Sequence, residues 1–167
     1  MLDPDVVVEA VVQAFRQIQP VVDQMGGLFD QNGNPTIYGH FFAYGAENSM
    51  ERATFQMTSP SILVGYTGMM GGSFDGQTRW KHFLCAYIRP KNTEVGSVNG
   101  APIASSPHLA WLLLHGDVGN TGIPFRDTTL LGGALLVHPT PTLKYKMDES
   151  RADLFYWEFS MMEQGDD

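Results

Sequence analysis

From Val8 to Met25 an apolar residue recurs at every third or fourth step, as Val8, Val11, Val12, Phe15, Ile18, Val22 and Met25. That spacing lays one continuous stripe along a helix. Asp3 and Pro4 open it, because an aspartate side chain accepts an orphan amide bond and proline at the first helical position gives up a donor that had no partner. Pro20 falls inside the stripe, where it removes a backbone bond and crowds the turn before it. A kink over residues 16–19, or two helical pieces, is predicted, with Gly26 and Gly27 as the stop.

A different period governs Arg79 to Arg89. Trp80, His82, Leu84, Ala86 and Ile88 alternate with Phe83, Cys85 and Tyr87, so both faces of this strand are apolar at the middle. Such a strand belongs at the centre of a sheet with helices over at least one face. Ile62-Leu63-Val64, introduced by Ser59-Pro60, is predicted to pair beside it. Earlier, Asn32-Gly33 reads as a tight turn leading to a strand over 36–44, and Asn48-Ser49 as the cap of a short helix running to Phe55.

Residues 106–115 form a second helix that Gly116 ends, with Ser105 or Ser106 as cap. Leu109, Trp111, Leu112, Leu113 and Leu114 leave it little polar face, so burial against the sheet is expected. Ala134 to Val137 adds a strand, and the chain closes with a hairpin of 143–147 and 152–162. Pairing Met147 with Ala152 would set Lys146 opposite Asp153. Together these elements give an α+β (α/β) chain with a single mixed or antiparallel sheet. The N-terminal helix and a second buried helix flank that sheet, and a terminal β-hairpin completes it. One domain over 1–167 is expected, with loops at about 45–58, 65–78, 91–106 and 117–133 and a short, loose acidic tail from Glu163 to Asp167.

In the last strand Leu154 and Tyr156 share one face, while Phe155, Trp157, Phe159 and Met161 share the other. One domain of this size offers few elements to cover both, so part of this surface is expected to meet another protein chain. The glycine-rich stretch from Gly65 to Gly76 carries Met69, Met70 and Phe74. No Lys-Ser/Thr pair and no helix start follows it, which favours a mobile hairpin with adaptable apolar contacts over a phosphate cradle.

Charge narrows the function classes. Ten basic against 18 acidic residues give a formal net charge of -8, which argues against a sequence-independent grip on phosphate backbones. The single cysteine, Cys85, lies within the central strand, so no intramolecular disulfide forms and a reducing compartment fits. The acidic start and the absence of a long apolar run lead to the expectation of a protein made and kept in the cytosol, with no membrane partner.

The chemistry-bearing side chains are sparse. His82 and Cys85 are spaced like a metal pair, yet three positions apart on a strand they point to opposite faces. His115 and Asp117 set an imidazole and a carboxylate near a helix end, and a small soluble enzyme using them is the opposing reading, although no Gly-x-Ser-x-Gly elbow is present. No catalytic residue, cofactor-binding residue or metal ligand is assigned.

Taken together, the order of elements is distinctive. Val7 to Val22, Ser59 to Gly65, Trp80 to Arg89, His108 to Leu114 and Leu154 to Phe159 follow a layout that resembles the tail terminator proteins of tailed bacteriophages over most of the chain. The segments 45–58 and 117–133 do not match that pattern. What the resemblance implies is a structural virion protein with no catalytic residues and no cofactor. It would form a hexameric ring that caps the tail tube and joins it to the head-side connector or stopper protein, with the sheath as a further neighbour. DNA would pass through without specific binding. Another neck protein, such as a stopper, is the close alternative. Ring closure needs one patch to meet a different patch on the next subunit, and Met69, Met70, Phe74, Phe155, Trp157 and Phe159 are the candidates for that interface.

Overall fold

The computed structural model describes residues 1–40, 53–54, 56–58, 60–74, 76–90, 97–98, 101–102, 106–137, 144–148 and 151–164. Two helical pieces begin it, α1 (Pro4–Phe15) and α2 (Gln19–Gln24). The Asp3 carboxylate accepts from the Asp5 amide at 2.8 Å and caps α1. The break falls where Pro20 was expected to cause it: Ile18 is extended (φ -91°, ψ 94°), and it bridges to Val118 instead of continuing the helix. Arg16, at the same break, donates from Nε to the carbonyl of Ile37 at 2.9 Å and so fastens the helix end to the first strand.

That strand is β1 (Ile37–Gly39), followed by β2 (Ser61–Phe74) and β3 (Gln77–Arg89). A two-residue ladder follows, β4 (Ser97–Val98) with β5 (Ala101–Pro102), then α3 (Ser106–His115). The last strands are β6 (Thr129–Leu130), β7 (Leu135–Val137), β8 (Lys144–Asp148) and β9 (Arg151–Glu163). The main sheet runs β1-β2-β3-β9-β7-β6, with β8 added on β9 off this path. β1 pairs with β2 in parallel and the other pairs are antiparallel, so the sheet is mixed and the α+β class holds. β3 sits between β2 and β9, as its two apolar faces require.

α1, α2 and α3 all pack on one face of that sheet. Val7, Val11, Phe15, Ile18, Leu109 and Leu113 meet Ile62, Val64, Leu84, Ala86 and Ile88 in one core. A smaller cluster on the other face joins Met57 and Leu63 with Tyr38, Ala53 and Tyr87. Gly116 sets how closely α3 approaches α2: a Cβ there would lie 2.4 Å from both Cγ2 of Ile18 and the carbonyl oxygen of Leu112.

Four expectations change. The glycine stretch 65–78, read as a loop, is mostly strand, because β3 supplies a hydrogen-bonding partner along its length. Trp111 is 52% exposed, so α3 is buried on one side only. The terminal hairpin keeps the expected register at Asp148↔Arg151, then slips by three residues at an irregularity, so Lys146 faces Tyr156 and not Asp153. Glu163 belongs to β9 and is hydrogen-bonded, not part of a loose tail. The proposed helix of 48–55 and the strand beyond His40 lie largely outside the described residues.

Candidate functional site

The feature that stands apart from this core is the outer half of the β2–β3 hairpin. β1 flanks β2 only at Ile62 to Val64, and β9 flanks β3 only at Lys81 to Ile88. From Gly71↔Trp80 to Phe74↔Gln77 the two strands pair with each other alone among the described residues. Four residue pairs at a rise of about 3.3 Å make a ribbon of roughly 13 Å. A two-stranded ribbon is marginal in water unless something packs on it.

Large apolar side chains lie exposed along this arm: Met69 at 39%, Met70 at 47% and Trp80 at 37%. Residues directly opposite share a face, so Met69, opposite His82, and Trp80, opposite Gly71, continue the helix-covered side. Met70, opposite Lys81, lies on the other side. The Trp80 indole lies across Gly71, where a Cβ would come within 3.1 Å of the ring, so any larger residue there would push the indole by a few tenths of an ångström. Phe74 closes β2 opposite Gln77.

At the root of the arm three strands are tied together by a buried polar chain. Burial and the charge of Glu163 push the Tyr66 phenol up to about 12. The Tyr66 hydroxyl and Nδ1 of His82 share a hydrogen bond at 2.5 Å. On the other side of the ring, Nε2 of His82 lies 2.7 Å from Oε2 of Glu163. The other carboxylate oxygen accepts from the Leu2 amide at 3.0 Å. Both ring nitrogens of the fully buried imidazole are thereby hydrogen-bonded. The chain links β2, β3, β9 and the segment before α1 at the point where the ribbon leaves the sheet. The His82 side chain is fully buried, between Tyr66 and Glu163.

Sequence reasoning treated His82 as a core residue and missed Tyr66 and Glu163. The signal was available: continuing the alternation Trp157, Phe159, Met161 by two more positions puts Glu163 on the face that His82 occupies.

Two of the three aromatic residues of the expected interface, Trp157 and Phe159, are corrected. Trp157 is fully buried and Phe159 is 2% exposed, inside the chain's own core. Phe15 of α1 and Phe125, from the 3-10 turn Phe125–Asp127, cover them: ring centroids lie 4.7 Å apart for Trp157 and Phe159, 4.9 Å for Phe15 and Phe125, and 5.9 Å for Phe125 and Phe159. The helices and this turn shelter the face that was expected to need another chain. Phe155 pairs with Ile88 in the strand register.

His115 and Asp117 serve different partners. The imidazole packs on Trp111 with centroids 4.9 Å apart, and the carboxylate accepts from the Gly122 amide at 2.9 Å within a turn. His82 and Cys85 do face opposite ways; burial pushes the Cys85 thiol up to about 12. Among the described residues no group of three or more His, Cys, Asp or Glu side chains is placed to hold a metal ion. In comparisons with known proteins, no family model matches the chain and no curated protein is similar to it.

Proposed function

We propose that this chain is a ring-forming structural virion protein of the tail terminator type, closing the tail tube of a bacteriophage and receiving the head-side connector. The observation that carries the reading is the β-arm: a ribbon that extends past its flanking strands, is hydrogen-bonded at its root, and exposes Trp80, with Met69 and Met70 exposed at that root. An arm of this kind gains its missing packing from a neighbour, and a patch that differs from the surface it meets generates a ring when the rotation closes.

Two further facts agree with it. The order of elements on which the resemblance rests, from the amphipathic N-terminal helix to the aromatic last strand, is present in the fold. The net charge of -8 suits a lumen through which DNA passes without sticking. Hexameric closure, tube capping and residence at the neck of the virion are the parts of the proposal taken from that resemblance. Negative-stain electron microscopy of the purified protein tests it. Uniform rings with a central opening are expected, and a field of single small particles at every concentration would contradict the reading.

A further inference from the structure

We propose that Met69 and Met70 form a peroxide-sensitive modification site, and that their conversion to sulfoxide blocks the association of copies. The selective oxidation of this pair stands by itself. Its effect on association rests on the ring-forming reading above and adds a means of regulation to it.

Oxidation of a thioether needs only a peroxide that can reach the sulfur. Met25, Met57, Met161 and Met162 are buried in the chain's own core, whereas Met69 and Met70 are open to solvent. Met1 is exposed as well, at the start of the chain. The Cys85 thiol is buried within β3, which spares it, because peroxide attacks an accessible thiolate. Consecutive residues of a strand point to opposite faces. Met69, opposite His82, therefore lies on the face that carries Trp80, and Met70, opposite Lys81, lies on the other. One oxygen on each sulfur changes both faces of the arm's root at once, in a strand that carries no charged side chain from Gly65 to Phe74.

In the reaction a sulfur lone pair attacks one oxygen of hydrogen peroxide and the O–O bond breaks. That oxygen stays on the sulfur, and the other leaves as water with both protons. Sulfur gives up two electrons and the peroxide takes them. A flexible apolar thioether becomes a polar, chiral group with a strong acceptor oxygen. A neighbouring chain packed on the arm would bury that oxygen away from water, and a buried acceptor without a donor opposes the contact. The same packing covers the reduced sulfurs and keeps peroxide from them, so association and oxidation exclude each other.

The test compares two kinds of variant. Met69→Gln and Met70→Gln each place a carbonyl oxygen where a sulfoxide oxygen would stand, and light scattering is expected to show that both lose rings. Met69→Leu combined with Met70→Leu conserves volume and apolarity, and is expected to keep them. Hydrogen peroxide followed by peptide mapping gives the second readout. In Met70→Gln the remaining Met69 should oxidise roughly tenfold or more faster than Met25, Met57, Met161 and Met162, and roughly tenfold faster than Met69 in wild-type rings. If Met69 oxidises no faster than the buried methionines, the modification site is overturned whatever the oligomeric state. If the glutamine variants form rings as well as the leucine variant does, the effect on association is overturned and the ring reading stands. If wild type and the leucine variant are both monomers at every concentration, the ring reading falls and takes the effect on association with it.

Discussion

Replacing Trp157 by alanine separates a residue that holds the monomer together from one that holds monomers to each other. The indole is fully buried and packs against Phe159 and Phe15, with centroids at 4.7 and 6.2 Å. Truncating a buried tryptophan costs about 3–5 kcal/mol, at least about a fifth of the roughly 5–15 kcal/mol that holds a typical domain folded. For a chain of 167 residues each kcal/mol lowers the melting temperature by roughly 2–4 °C, so a fall of about 6–20 °C is expected. Thermal unfolding followed by circular dichroism, at two concentrations a hundredfold apart, reads it. A core residue produces the fall at both concentrations. Trp157→Phe makes a sharper companion, because the indole Nε1–H has no acceptor among the described residues. Relieving that buried donor returns about 1–3 kcal/mol and offsets much of the lost area, so this variant should stay within about 2 kcal/mol of wild type. A monomer whose melting temperature moves by less than about 2 °C in Trp157→Ala, with association lost instead, would show that the face belongs to an interface after all.

Three further outcomes follow from the same structure. Burial and, after it, the Glu163 charge hold the Tyr66 phenol up; Glu163→Gln removes the second of these and weakens the contact with His82, so a tyrosine should ionise at somewhat lower pH in an ultraviolet titration and stability should fall by about 1–2 kcal/mol. In alkali, the unfolded chain releases the Cys85 proton near 9.0 whereas the folded chain holds it to about 12, so the folded state binds more protons in that window and stability declines as pH rises through it. The Cys85 share reaches on the order of 4 kcal/mol by the upper end, Tyr66 adds in the same direction between 10.0 and about 12, and urea unfolding of Cys85→Ala should show a shallower decline. Gly116→Ala forces Ile18 and the α3 backbone apart and should cost about 1–3 kcal/mol by chemical denaturation.

Much of the fold was legible because its signals are local. The stripe from Val8 to Met25, the proline that divides it, and the alternation of β3 each carry their own periodicity, and all three appear where expected. What was misread depended on partners far away in the chain. Five glycines from Gly65 to Gly76 suggested a loop, yet a strand forms wherever a neighbour supplies hydrogen bonds, and Trp80 fills the space over Gly71. The surplus apolar face of β9 looked uncovered because nothing in 117–133 announces that Phe125 turns inward to meet Phe159. The exposed methionines of the candidate site were visible from composition alone. Its buried root was not, since Tyr66, His82 and Glu163 converge only once the registers of three strands are fixed.

The central claim, that this chain completes itself through its arm by joining copies in a closed ring, is tested most directly by the absolute mass of the purified protein from light scattering. Six copies of the 18.5 kDa chain predict a single species near about 111 kDa, stable on dilution. A species of 18.5 kDa at all concentrations would contradict it.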